Sequence, residues 1–319
     1  STGAPYKILK TRLWKKDCAM KKKTGKIVLL SLALAATLLI SFGAPLGIPT
    51  WDDVFSIFSP VPVMEEDGLY VHFLDVGCAD SAYITCNGYH VLIDAGNPSM
   101  QETAAYYLRQ CGVKKLDLVI ASHPDKDHIG DMPSVLQRLQ VLRFWMPDIE
   151  EDLVPQADYY TDMLDAVDRQ GIAMQNPKPG ESLQLGQMQF TVLAPLKAYG
   201  SSNNNSLVIK LTYKNNSFLF TGDAEKQSEQ DILESGADVH ADVLKVGHHG
   251  SKSSSTKTFL QAVSPQYAVI SVGDNSYGLP KRTVIRRMEK QNIQVYRTDV
   301  YGTIVFYSDG NTVTPLTAA

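Results

Sequence analysis

The sequence predicts an α/β fold in which two β-sheets pack face to face with helices outside, behind a separate apolar N-terminal segment. Three observations carry that expectation. Short apolar runs of strand length alternate with segments of helical periodicity in both halves of the chain. Several of these runs end in histidine or aspartate, as strands do when they present side chains at the rim of a sheet. The 319 residues are 44% hydrophobic, ample for a core, and one globular domain is expected although length alone allows two.

The N-terminal segment is set apart by charge. Residues 1–50 carry nine Lys/Arg and one acid, Asp17, whereas the remainder carries 21 basic and 33 acidic residues, so the balance passes from +8 to −12. Residues 27–51 hold no charge, are rich in Leu, Ala and Ile, and exceed the roughly 20 residues a spanning helix needs. A basic cluster just before such a run keeps the N-terminus in the cytoplasm and sends the C-terminal part across the membrane. Residues 1–26 therefore read as a basic cytoplasmic segment and 27–48 as a transmembrane anchor or signal peptide. The rest is expected on the extracellular face of the membrane, or secreted. Met20-Lys-Lys-Lys-Thr-Gly-Lys26 fits the start of a secretory signal, but Ser41-Phe-Gly-Ala44 beside Pro45 is a poor cleavage site, which favours the anchor. A buried core helix would show stronger polar residues at helical spacing than Ser31, Thr37 and Ser41. Residues 49–67, with Pro49, Pro60 and Pro62, read as a linker, and 68–319 as the domain.

Within the domain, strands are expected at 69–76, 81–85, 90–93, 116–121, 141–146, 190–193, 207–213, 218–221, 243–246, 267–272, 294–297 and 303–307. Helices are expected at 100–110, 132–139, 159–169, 224–234, 255–263 and 281–291. Cys78, Cys86 and Cys111 are an odd number without metal-knuckle spacing, so no disulfide framework is expected, and a Cys78–Cys86 pair has no support of its own.

The densest chemistry is His123-Pro124-Asp125-Lys126-Asp127-His128, four potential metal ligands directly after the apolar run 116–121. A polar turn explains one such histidine, not four spaced ligands. Mixed imidazole and carboxylate suits zinc, manganese or iron. Ser217-Phe-Leu-Phe-Thr-Gly-Asp223 ends in an acid, and Val243-Leu-Lys-Val-Gly-His-His-Gly-Ser251 ends in His248 and His249. Three strand ends can thus aim ligands at one place, and Asp223, with two oxygens, is the natural bridge between two ions.

This constellation resembles the metallo-β-lactamase superfamily, whose signature is His-x-His-x-Asp-His after a strand, then a distant Asp and a further His; the second His is Asp125 here. Val71-His-Phe-Leu-Asp-Val-Gly-Cys-Ala-Asp-Ser81, Leu92-Ile-Asp-Ala-Gly96, Ser122-His-Pro-Asp-Lys-Asp-His-Ile-Gly130, Thr221-Gly-Asp-Ala-Glu225, His248-His-Gly-Ser251 and Tyr296-Arg-Thr-Asp299 look like the hydrolase domain attached to ComEC, the DNA-uptake channel of competence. The resemblance runs over about residues 70–307. It implies an αββα sandwich of two mixed sheets flanked by helices, holding one or two divalent ions, Zn or Mn. By resemblance His123, Asp125 and Asp223 would hold one ion, and Asp127, His128, Asp223 and either His248 or His249 the other. The first set has three firm ligands, so its ion is expected to bind more weakly. Asp127, His248 and His249 would serve catalysis. Asp94 would support the ligand loop by hydrogen bonding. Asp80 stands in the neighbouring acidic loop and reads equally as a turn residue. Asn203 to Ser206 reads by composition first as a polar turn; by resemblance a similar turn stands where other members place a metal-binding His, so Asn205 could line the site without ligating strongly.

The sequence departs from the ComEC pattern at Cys78, Asp131 and Leu279, the last replacing a His in a Tyr-Gly-His-Pro loop. The function expected is an exported or membrane-anchored metal-dependent hydrolase, a phosphodiesterase or nuclease using a metal-activated water. Its partners would be a phosphodiester substrate, DNA included, and the membrane through the N-terminal helix, with no obligate protein partner. The −12 balance opposes strong nucleic-acid binding, although Lys245, Lys252, Lys257, Lys281, Arg282, Arg286 and Arg287 could form a basic strip. Two alternatives remain: a surface hydrolase of small phosphodiesters such as phosphorylcholine esters, and a catalytically weakened metal-binding scaffold.

Overall fold

Leu69–Phe73 shows why the chain builds a layered structure. Leu69, Val71 and Phe73 enter one apolar cluster, while the ring of His72, pointing the other way, packs against Tyr83 and Tyr107. Successive side chains of a strand alternate between faces, and here both faces are covered. The computed structural model describes residues 67–97 and 103–317, Met64, and the helical residues 26, 29–35, 37, 38 and 41.

The chain divides into two units, Ser1–Pro62 and Val63–Ala319. In the second, the strands are β1 (Leu69–Phe73), β2 (Ala82–Cys86), β3 (Tyr89–Ile93), β4 (Lys115–Leu116), β5 (Leu118–Ile120), β6 (Gln140–Val141), β7 (Phe144–Trp145), β8 (Met174–Gln175) and β9 (Ser182–Leu185). They continue as β10 (Met188–Ala194), β11 (Val208–Tyr213), β12 (Asn216–Phe220), β13 (Val243–Lys245), β14 (Tyr267–Ile270), β15 (Gln294–Arg297), β16 (Ile304–Ser308) and β17 (Val313–Pro315). One sheet runs β17-β16-β1-β2-β3-β5-β7-β8 and the other β15-β14-β13-β12-β11-β10-β9, with β4-β6 as a small side ladder. Each large sheet is mixed. The first is antiparallel from β17 to β3 and parallel from β3 to β8. The second is parallel from β15 to β12 and antiparallel from β12 to β9.

Phe73, Phe190, Phe218, Phe220 and Phe306 fill the space between the sheets. Phe73 stacks on Phe220 at 5.8 Å and meets Phe306 edge-on at 6.1 Å. Helices Thr103–Gln110, Met132–Arg138 and Asp158–Gln170 cover the first sheet with Leu108, Met132, Val135 and Met163. Helices Lys226–Glu234, Lys257–Val263 and Arg282–Glu289 cover the second with Ile232, Phe259, Val284 and Met288. The result is the αββα sandwich that the sequence predicts. The carboxyl ends of β3, β5, β12, β13 and β14 open on one rim, the place where α/β sheets collect functional side chains.

The differences from expectation are local. The run 116–121 divides because Asp117 turns its carboxylate back to accept the His90 amide at 3.0 Å, splitting off β4. Strands β8, β9 and β17 carry short, half-polar sequences with little period-2 signal. Cys78, Cys86 and Cys111 are free thiols, so no Cys78–Cys86 pair forms. Most of the expected anchor at 27–48 and of the linker at 49–67 lies outside the described residues. Among those described, no helix is long and apolar enough to cross a membrane.

Candidate metal centre

Asp94 organises the rim. It follows β3 in a left-handed conformation (φ 58°). One carboxylate oxygen accepts the Ser122 amide at 2.7 Å, and the other accepts Ser122 Oγ at 2.7 Å and faces His128 Nδ1 at 2.8 Å. The residues after β5 close into a single helical turn, Lys126–Ile129, which brings Asp127 and His128 round to the cluster. Main-chain bonds pin this turn from two sides: Ala95 N donates to His128 O at 2.7 Å and Asp80 N to Asp127 O at 3.0 Å.

Three histidines face one point through the same atom. His128 Nδ1 is held by Asp94, His249 Nδ1 meets the Ser271 carbonyl at 2.9 Å, and His123 Nδ1 lies near Ser122 Oγ (3.1 Å) and Ser206 Oγ (3.3 Å). Such partners fix the ring orientation at Nδ1, so that Nε2 is the nitrogen each ring offers to an ion. His128 Nε2 lies 3.2 Å from Asp223 Oδ1, His249 Nε2 3.4 Å from Asp127 Oδ2, and His123 Nε2 3.6 Å from Asp125 Oδ2. These three nitrogens and Asp223 Oδ1 are buried without a well-directed hydrogen bond. Each such orphan costs about 1–3 kcal/mol, and four converging on one place fit a bound cation. Ligand atoms of His123, His128 and Asp223 lie within 4.8 Å of one another, as do those of Asp127, His128 and His249. The two groups share His128, and Asp223 Oδ1 stands 3.9 Å from His249 Nε2.

The electrostatics agree. Burial disfavours charge on His128 and His249, yet Asp223, with Asp94 beside the first and Asp80 beside the second, raises both pKa values well above the usual histidine range. Burial would raise Asp223, but His128 and His249 hold it well below the usual carboxylate range. Asp125 and Asp127 are likewise lowered against burial, through His123 and His249 respectively. Divalent ions bind such a cluster by displacing its protons.

The two adjacent histidines have different positions. His249 is buried and faces Asp127, whereas His248 is partly exposed at the mouth, its Nε2 3.7 Å from Asp223 Oδ2 and its Nδ1 3.4 Å from Glu225 Oε1. Both adopt left-handed backbone (φ 50°), a strain of about 1–3 kcal/mol each that clusters at functional sites.

Of the two readings of Asn205, the structure shows the polar turn. Its amide accepts Tyr199 N at 2.9 Å and donates to the Tyr199 and Ser201 carbonyls at 2.7 and 3.0 Å, so it braces its own loop instead of lining the cluster. From that turn, Ser206 and Asn203 reach the site: Ser206 Oγ accepts Asp223 N at 3.1 Å and Asn203 Nδ2 lies 3.4 Å from His248 Nδ1. Of the seven basic residues expected near the site, Lys252, Lys257, Arg282 and Arg286 are exposed and the other three are engaged. Lys245 is buried against Asp80, Arg287 reaches the Ser254 and Ser255 carbonyls, and Lys281 the Tyr277 carbonyl. Leu279 packs beside the core of the second sheet, its main chain bound at both ends by Asn275. Ser122, Ser206 and Glu225 escape a sequence reading because hydroxyls and lone acids in loops are common.

Residues 77–274 match the model of the metallo-beta-lactamase superfamily. The chain belongs to that superfamily. It is 33% identical to ComE operon protein 3 of Bacillus subtilis over 77% of this chain and 34% of that protein. It is 31% identical to Recombination protein 2 of Haemophilus influenzae over 73% of this chain and 28% of that one, and 28% identical to Competence protein ComA of Neisseria gonorrhoeae over 87% and 38%. The chain thus spans about a third of the length of these relatives. The metallo-beta-lactamase fold protein YhfI from Bacillus subtilis superposes with a TM-score of 0.51 at 13% identity, covering 76% of this chain and all of that one. Tm1679, a metal-dependent hydrolase of the beta-lactamase superfamily, does so at 0.50 and 12%, covering 78% of this chain and all of that one. The protein is a metal-dependent hydrolase of the superfamily with ComEC-like competence homologues.

Proposed function

We propose that this hydrolase cleaves phosphodiesters, with a DNA strand as the natural substrate. The observation that carries the reading is the convergence of His123, His128 and His249, each through Nε2, on Asp223 and Asp127 at one open rim. His123 and Asp223, with Asp125 at the edge, would hold one ion; Asp127, His128 and His249 would hold the other. A carboxylate-rich set suits manganese as well as zinc. Bound ions would polarise the phosphoryl oxygens and lower the pKa of a water to about 7. The protein's own part is orientation: Asp94 fixes His128, Ser271 fixes His249, and Ser206 ties His123 to Asp223. Asp127 is partly exposed at the opening, where a substrate can reach it. His248, with Glu225 beside Nδ1, stands at the mouth, where its imidazolium form would donate from Nε2 to the departing oxygen.

Competence and recombination proteins among the relatives support a polynucleotide. The acidic balance of the domain favours a small phosphodiester, and that is the second reading. One assay separates them. The full chain, loaded with zinc or manganese, should cleave bis-p-nitrophenyl phosphate and single-stranded DNA, and Asp223→Ala should do neither. Cleavage of the small diester alone would favour the second reading. Wild type no faster than Asp223→Ala would reduce the chain to a metal-binding scaffold.

The basic residues before the apolar run support export, with the domain outside the membrane as an anchored or secreted hydrolase. A reporter active only in the cytoplasm, fused after Ala319, should then be silent.

A further inference from the structure

β13 pairs with parallel neighbours on both sides and should read as an apolar strand throughout. It ends instead on Lys245, which is 4% exposed. Its ammonium lies 2.5 Å from Asp80 Oδ2 and donates to the Val246 carbonyl at 2.8 Å. Lysine is almost never buried this deeply without a partner. A buried ion pair adds little stability over an apolar pair of the same shape, so stability alone gives no reason for a charge here.

Asp80 gives the reason. Its second oxygen faces His249 Nδ1 at 3.3 Å, and its main-chain N donates to Asp127 O at 3.0 Å. It therefore touches two of the three members of one ligand group, Asp127, His128 and His249. Asp80, Asp94 and His128 also lie close enough together to suggest an ion pocket of their own. Most of that group is already engaged: Asp94 holds Ser122 and His128 Nδ1, Asp80 Oδ2 holds Lys245, and Asp80 Oδ1, which has no well-directed hydrogen bond, is turned to His249 Nδ1. It is the support behind the centre. Asp80, Asp94, Asp125, Asp127 and Asp223 crowd this rim, and a carboxylate behind His249 would be repelled by Asp223 and Asp127 unless a fixed cation held it.

We propose that Lys245 is a positioning residue of the metal centre: through Asp80 it fixes the His249 ring and the Asp127 loop, and so sets the affinity of the ion that Asp127, His128 and His249 share. It does not touch the ion or the substrate. Partners standing behind metal ligands typically control affinity by about 10–100-fold. Removing the ammonium alone leaves Asp80 buried and unpaired, free to turn away from His249. Removing both charges leaves His249 Nδ1 with the Ser271 carbonyl and no charged partner.

The inference rests on reading the cluster as a metal centre, and the experiment separates the two. Metal-free full chain is titrated calorimetrically with zinc and with manganese, and cobalt loading is followed by its visible absorption. Wild type that binds no ion removes the metal reading itself. In Lys245→Met, one equivalent should weaken by about 10–100-fold with the other unchanged, and the cobalt bands should shift. Asp80→Asn should do the same, and Lys245→Met added to Asp80→Asn should change affinity less than about twofold, because the lysine acts through the aspartate. Wild-type affinity for both ions in a folded Lys245→Met overturns the proposal, as do losses that multiply in the double variant. Should Lys245→Met fail to fold, the double variant, which leaves no unpaired charge, decides: affinity matching Asp80→Asn supports the role, and wild-type affinity overturns it.

Discussion

The two sheets are built to one plan, an antiparallel meander passing into parallel strands, yet they deliver ligands differently. The first sheet concentrates His123, Asp125, Asp127 and His128 in one loop after β5 and sets them with a single helical turn. The second gives Asp223 after β12 and His248/His249 after β13. The first arrangement is held by local hydrogen bonds around Asp94. The second relies on unusual backbone at the ligands themselves, with His248 and His249 and the flanking Gly222 and Gly250 at positive φ, whereas on the first sheet's side of the site the left-handed non-glycine residue is the supporting Asp94 and not a ligand. A contiguous ligand run can be organised by its own loop, whereas ligands from separate strand ends must each be turned inward at a cost in backbone strain.

If the first sheet's loop is the principal holder, the double substitution Asp127→Ala/His128→Ala should have the largest effect. It removes two ligands of one ion, and His128 also lies within reach of the group around the other. Elemental analysis after dialysis should show metal lost, and cleavage of bis-p-nitrophenyl phosphate should fall about 10³-fold or more, since bound ions supply several kcal/mol of transition-state stabilisation and each 1.4 kcal/mol is tenfold. A full metal complement in this variant would shift the principal role to the second sheet.

The same contrast explains what was legible in the sequence. His123 to His128 could be read because the ligands are adjacent and follow an apolar run. The sandwich could be read because buried parallel strands such as β5 and β13 leave short apolar runs. The choice between His248 and His249 could not, because neighbours of the same type are separated only by a backbone turn: one faces Asp127 and the other Glu225. Asn205 and Ser206 show the same limit, since adjacent polar residues in one turn brace different things. Lys245 looked like surface charge because burial of a lysine depends on a partner 165 positions away in sequence, Asp80.

The reliance of the second sheet on unusual backbone is tested by Gly222→Ala. At φ 49° an added Cβ would meet Ser122 Cβ at 2.9 Å and Ser206 Oγ at 3.0 Å, and the first of these sits on main chain that cannot easily retreat. A left-handed alanine costs about 1–2 kcal/mol and overpacking about 1–3 kcal/mol, so unfolding by urea should show a loss of about 2–5 kcal/mol. The variant should also displace Asp223, so the surviving folded fraction should bind metal less well. A stability change under about 0.5 kcal/mol, the range of an ordinary surface substitution, would mean that the strand ends are less tightly packed than these distances imply.

The smallest effect is expected where the two sheets meet. Ser206 Oγ accepts Asp223 N at 3.1 Å and lies 3.3 Å from His123 Nδ1, so one hydroxyl joins a ligand from each sheet. His123 keeps a second neighbour, Ser122 Oγ at 3.1 Å, and Asp223 keeps its place after β12. Ser206→Ala therefore removes a shared hydrogen bond but no ligand, a change of about 0.5–1.5 kcal/mol. Calorimetric titration should show the ion held by His123 and Asp223 weakening by about tenfold at most, with the ion of Asp127, His128 and His249 unchanged. Weakening of both ions equally would mean that the sheets act as one rigid support, and the distinction between a self-organised loop and dispersed strand ends would not extend to metal affinity.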